Sequence, residues 1–151
     1  MNAHDHPRDR LGPTEVLVIE FPRGQVRAEG FATLTDLAAR GVIAVLDLEF
    51  VRRAENGEVA RVSVADAVAG APADLADLAG AESGLLDDDD LRDLGEAIEP
   101  GSLAGALLFE HTWILPMADA LSSGGARIVT SARVDPAEIV AALDRLDREG
   151  R

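Results

Sequence analysis

The chain has 151 residues, 47% hydrophobic and 28% charged but only 3% aromatic, which suits one globular domain with a core of Ala, Val, Leu and Ile. It contains no cysteine and no tyrosine, and all 14 basic residues are arginine; thiolate chemistry, lysine Schiff bases and the P-loop lysine are therefore excluded. A formal net charge of -14 gives no clustered basic surface of the kind that nucleic acid or an anionic membrane needs.

Residues 1–13 are polar, hold Pro7 and Pro13 and have no apolar period, so they read as a flexible tail ahead of a single domain over 14–149. His4 and His6 lie two apart on that tail, which gives no closed metal geometry, and neither a metal nor a cofactor is expected. The opening MNAHDHPRDR lacks the apolar centre of a signal peptide, and no apolar run approaches the ~20 residues of a membrane span. The expected location is cytoplasmic.

Glu15 to Phe21 is a β-branched apolar run closed by Pro22, which predicts a strand with Leu17, Ile19 and Phe21 on one face and Val16, Val18 and Glu20 on the other. A helix follows around 30–40, with Leu34, Leu37 and Ala38 as its stripe and Gly41 behind it. The second strand, about Ile43 to Arg53, alternates Leu46, Leu48 and Phe50 with Val45, Asp47, Glu49 and Val51. Asn56-Gly57 is a strong hairpin signal and returns the chain into a third strand, Val59 to Val64.

Residues 66–86, rich in Ala, Gly and Asp, read as a long surface insertion. The acids Asp87 to Asp90 lack the alternation and central glycine of a calcium loop and instead suit the first turn of a helix reaching about Ile98. Pro100-Gly101 turns into a fourth strand, Leu103 to Glu110, after which Thr112 is expected to cap a helix carrying Trp113, Met117 and Leu121. Gly124-Gly125 ends that helix. A fifth strand over Arg127 to Arg133 then leads through Asp135-Pro136 into a last amphipathic helix, 136–148.

The order strand, helix, strand, strand, helix, strand is that of an α+β, ferredoxin-like split βαβ (βαββαβ) domain, here extended by a helix, a strand and a C-terminal helix. In that arrangement the third strand separates the first two, and the right-handed crossover rule puts three helices on one face. The other face then shows apolar side chains to water unless a second subunit covers it, and such area marks an interface. The candidate interface residues are Val16, Val18, Glu20, Val45, Glu49, Arg61 and Leu108, with Arg61 expected to bridge Glu20 and Glu49 in an ion-pair ladder.

Glu15-Val16-Leu17-Val18-Ile19-Glu20-Phe21-Pro22, then Leu46-Asp47-Leu48-Glu49-Phe50-Val51-Arg52, Leu85-Leu86 among acids, Glu99-Pro100-Gly101-Ser102 and Glu110-His111-Thr112-Trp113 form a distinctive set. Together, over about 12–145, they resemble a family of short actinobacterial proteins of unknown function. The resemblance implies a stand-alone cytoplasmic domain with no established activity and no cofactor. The family's strand-to-helix junction reads Glu-Asn-Thr-Trp, so His111 stands here where the family has Asn.

Glu110, His111 and Trp113 at that junction are the candidate ligand-binding residues, with an acid, a base and an aromatic wall near free helix N–H groups. A cap plus a core anchor is the plainer account, since no nucleophile, base and orienter set accompanies them, and no catalytic residue is assigned. The reading that follows is a non-enzymatic interaction protein that homo-oligomerises through the open sheet face or an edge strand, with another protein as the second class of partner. The alternative is a small-molecule binder or hydrolytic enzyme working through Glu110, His111 and Trp113.

Overall fold

A computed structural model describes residues 11–24, 26, 28–69 and 78–150; the expectations for His4 and His6 and for 70–77 lie outside the described residues. The chain is mixed α+β and divides into two compact units, one up to Met117 and one from Ala118 onward. The first unit holds an antiparallel sheet of β1 (Thr14–Phe21), β2 (Ala44–Arg53), β3 (Val59–Val62) and β4 (Leu103–Glu110), in the order β1-β4-β2-β3. Among the described residues there are five α-helices: α1 (Ala28–Ala39), α2 (Val64–Ala67), α3 (Asp88–Ala97), α4 (Ile114–Ser122) and α5 (Pro136–Glu149).

The strand order differs from the ferredoxin-like expectation, because β4 and not β3 lies between β1 and β2. That exchange makes β4 a central strand paired on both sides and leaves β1 at an edge. Local signals placed the elements well. The β2–β3 hairpin closes around Gly57, whose φ of 89° suits glycine, with the Ala54 N–H donating to the Glu58 carbonyl at 2.8 Å. Asp87 and Asp90 form a reciprocal capping box at the start of α3, as the acid run predicts. The third strand is shorter than expected, since Ser63 leaves the ladder to cap α2.

Helices lie on both faces of the sheet rather than on one. On the first face, Phe31 of α1 packs 6.0 Å from Phe50, centroid to centroid, with Leu48, Leu103 and Leu107 around them. Gly105 of β4 makes room for two rings there, because a Cβ on it would stand 3.0 Å from Phe50 and 3.4 Å from Phe21. On the second face, α3 sits so close to the hairpin that a Cβ on Gly95 would come within 2.3 Å of Val59, and Val51, Ile98 and Ala104 are sealed beneath it. The crossover rule failed because it treats the β3–β4 connection as one helix on one side. Val64, Val68 and Leu78 of that connection belong to the Phe50 core, whereas Ser83 and Leu86 bond to Asp47 on the opposite face, so the chain changes sides before α3. What read as a surface insertion thus supplies core residues at both of its described ends.

Two further corrections concern the termini of the fold. Gly12 and Pro13, assigned to the tail, are tied down: the Gly12 N–H donates to the Glu110 carboxylate, and the Pro13 carbonyl accepts the His111 N–H at 2.8 Å. Among the described residues the expected fifth strand is absent, for 127–133 has no regular structure, and β-branched composition alone does not make a strand. In the second unit α5 starts as predicted, with the Asp135 carboxylate accepting the Ala137 N–H at 2.9 Å and Pro136 in the first turn. Its stripe of Ile139, Val140, Leu143 and Leu146 is exposed.

Candidate functional site

Of the junction residues, the structure brings His111 and Trp113 together, while the Glu110 carboxylate bonds elsewhere. Glu110 ends β4 with no exposed surface, its carboxylate accepting the Gly12 N–H, and the space beside it is filled: a Cβ on Gly12 would lie 3.1 Å from that carboxylate and 3.5 Å from Leu115. His111 turns away and pairs with Glu15 of β1 through Nε2 at 3.0 Å, its ring edge-on to Phe109. Trp113, expected in the core, is 52% exposed; its indole N–H reaches His111 Nδ1 at 3.4 Å. Thr112 does not cap α4, because its hydroxyl donates to the Gly41 carbonyl at 2.8 Å and fixes the end of α1 to the end of β4.

A second cluster, only part of which the sequence singled out, lies on the α3 face of β2. Asp47 and Glu49 have no exposed surface, yet every oxygen has a partner. Asp47 accepts the N–H groups of Ser83 (2.8 Å) and Leu86 (2.7 Å); Glu49 accepts the Gly84 N–H (3.1 Å) and the Arg61 guanidinium (2.8 Å). Arg61 also reaches Asp88 at 2.8 Å, at the first turn of α3. Burial, and then the neighbouring Asp47 charge, push the Glu49 carboxyl up to about 7 against the pull of Arg61. Arg61 is held above its ordinary value, chiefly by its hydrogen bond to Asp88. The cluster staples the 83–86 loop and α3 to the sheet. The signal was two acids alternating inside an apolar strand, a pattern that burial permits only with dedicated partners.

The predicted ion-pair ladder is half present. Arg61 pairs with Glu49, and Arg61, Val51, Ala104 and Glu20 occupy one cross-strand row and so share a face. Glu20 stands at the far edge of that row, three strand spacings or roughly 14 Å from Arg61, and instead accepts the Glu99 N–H. Val45 changes face as well. Leu46 is an extra residue between the Val45–Phe109 and Asp47–Leu108 pairs, a bulge that turns Val45 toward the Phe50 core.

Of the proposed interface residues, Glu49 is thus enclosed under the 83–86 loop and Val45 is on the α1 face, while Val16, Val18 and Leu108 remain as an apolar patch at the β1 side. Among the described residues β1 is paired with a strand along one edge only, and Val16, Leu17, Val18 and Ile19 are 39%, 36%, 39% and 45% exposed. On the α1 face, beside β1, opens an apolar groove of about 340 Å³ lined by Leu17, Ile19, Phe21, Phe31, Leu34 and Phe109 among others. Leu17 and Ile19, expected beneath helices, border this groove because α1 covers β2 and β4 more fully than the edge strand. Among the described residues no group of His, Asp and Glu is arranged to hold a metal ion, and no helix is long and apolar enough to cross a membrane.

Residues 10–149 match a family described as a family of unknown function (DUF6325), and the chain belongs to it. No curated protein and no solved structure matches the chain.

Proposed function

We propose that this member of a family without an assigned activity is a non-enzymatic, cytoplasmic interaction protein that self-associates through its β1 edge. One observation carries the reading: among the described residues β1 has a neighbouring strand on one side only, and exposed aliphatic side chains stand on both of its faces. Single-chain proteins blunt such edges with short strands, central charges, proline or a cover. Here the central four residues, Val16 to Ile19, are all aliphatic, and the acids Glu15 and Glu20 stand outside them. The junction gives less support to the alternative, since His111 is engaged with Glu15 and the Glu110 carboxylate is enclosed beside Gly12.

Light scattering after gel filtration tests this. The expected result is a mass at least twice the 15.9 kDa of one chain, reduced to one chain by Val18→Arg with an unchanged circular dichroism spectrum. A wild-type protein that stays at one chain's mass across a wide concentration range sinks the proposal.

A further inference from the structure

The loop over Asp47 and Glu49 is fastened by groups whose charge is hard to keep. Three of its N–H groups end on these two carboxylates, Ser83 and Leu86 on Asp47 and Gly84 on Glu49, and the Ser83 hydroxyl donates to the Leu46 carbonyl at 2.6 Å. The two acids stand two residues apart on one face of β2, neither with any exposed surface. Against them, among the described residues, stands one guanidinium, Arg61 of β3, and it divides itself between Glu49 and Asp88 of α3. β4 places Ala106 opposite Glu49, the loop contributes backbone N–H groups, and Arg92 of α3 is turned to Asp89.

Two enclosed carboxylates with a shared claim on one cation are costly to keep ionised together, so one does best by holding a proton and donating it to the other. Glu49 is that one: burial and then the Asp47 charge push its carboxyl from 4.5 to about 7, and a hydrogen bond to Asp47 adds to the rise.

We infer that the Asp47–Glu49 pair is a proton-operated latch, which keeps the 83–86 loop shut over the sheet while Glu49 holds its proton and lets the loop lift when that proton leaves. The inference is independent of self-association. With the proton in place the loop covers one negative charge, which the Ser83 and Leu86 N–H groups offset. Without it two like charges lie sealed together, and water reaches them only if the loop rises. Gly84, at φ 76° with open space where a side chain would stand, gives the loop a place to bend. The direction is fixed, because Glu49 under a lifted loop is solvated and titrates as an ordinary carboxylate. Lifting therefore becomes easier as pH rises from 4.5 towards about 7 and levels off above it.

Amide hydrogen exchange of the full-length protein, followed by NMR, tests this once each rate is divided by the intrinsic rate at that pH to give an opening constant. The constants of Ser83, Gly84 and Leu86 should rise together, roughly tenfold or more between about pH 5 and about pH 8, and exceed those of Ala106 and Leu107 in the centre of β4 throughout. In Glu49→Gln, whose neutral amide stands in for the protonated carboxyl, they should stay level. Loop constants that ignore pH in the wild type overturn the inference, as does a Glu49→Gln chain that keeps the wild-type slope. Loop amides that open no more readily than β4 overturn it too, since only global unfolding would then expose them. Should Glu49→Gln fail to fold, the wild type still decides through its carboxyl carbon shifts. The Glu49 signal should titrate near neutral pH with the Ser83, Gly84 and Leu86 amide shifts following the same midpoint, and a Glu49 signal that titrates with the exposed acids overturns the latch.

Discussion

β1 and β2 are similar strings placed in opposite circumstances. The middle of β1, Val16 to Ile19, is wholly aliphatic yet exposed, with its two acids outside that run; β2 holds two carboxylates inside its run and buries both completely. The side chains alone would assign these fates the other way round. What decides is the place in the sheet: β2 lies between β4 and β3 with α1 on one face and α3 on the other, while among the described residues β1 has a neighbouring strand on one side only. Burial is a property of the address, and the sequence must then supply partners, as the 83–86 loop does for Asp47 and Glu49.

The sharpest way to break the contrast is Asp47→Ala, which leaves the Ser83 and Leu86 N–H groups and the rest of the cluster without their acceptor. Urea unfolding should show a loss on the order of 3–5 kcal/mol, with Asp47→Asn in between; a loss below about 1 kcal/mol would mean the staple contributes little. Gly95→Ala comes next. Alanine gains about 1 kcal/mol of helix propensity over glycine, but a Cβ 2.3 Å from Val59 outweighs that, and a net loss of about 1–3 kcal/mol is expected. A stabilised variant would show that α3 does not press on the hairpin.

Glu49 gives a pH test with a definite sign. Its folded carboxyl is raised from 4.5 to about 7, so the folded chain keeps a proton that the unfolded chain has released, and stability falls as pH rises through that window, by on the order of 1–3 kcal/mol. Below the window both states are protonated at this group, and above it both are ionised. Urea midpoints measured across the window should therefore decline with pH in the wild type, relative to a flatter Glu49→Gln profile; parallel profiles would contradict the assignment. The smallest effect belongs to β1. Ile19→Thr, at a 45% exposed site, should change the stability of the dissociated chain by less than about 1 kcal/mol while weakening any assembly, and a larger loss in the monomer would mean that β1 is already covered.

Much of the fold was legible because its signals are local. The Asn56-Gly57 turn, the Asp87 cap, the Pro100-Gly101 entry to β4 and the Asp135-Pro136 start of α5 each require only a few adjacent residues. What escaped depends on residues far apart. The bulge at Leu46 leaves no trace in composition, yet it moves Val45 to the other face. The exchange of β3 for β4 beside β1 follows from pairings 80 or more residues apart, such as Glu20 with Ala104. Trp113 was expected in the core because large aromatics are usually buried, but its position at the end of β4 outweighs that tendency. For the acids, alternation put Asp47 and Glu49 together on one face, correctly; nothing in an Ala- and Gly-rich loop announced that its backbone would cover them.

The guanidinium of Arg61 grips two carboxylates in unlike surroundings, Glu49 with a side chain 0% exposed and Asp88 with one 85% exposed. Added electrolyte separates the two holds. Near physiological ionic strength the outer attraction is already damped by mobile counter-ions, and at molar concentrations little of it survives, whereas the hold on the buried Glu49 carboxylate is screened much less. Sodium chloride should therefore release Arg61 from Asp88 while its pairing with Glu49 persists.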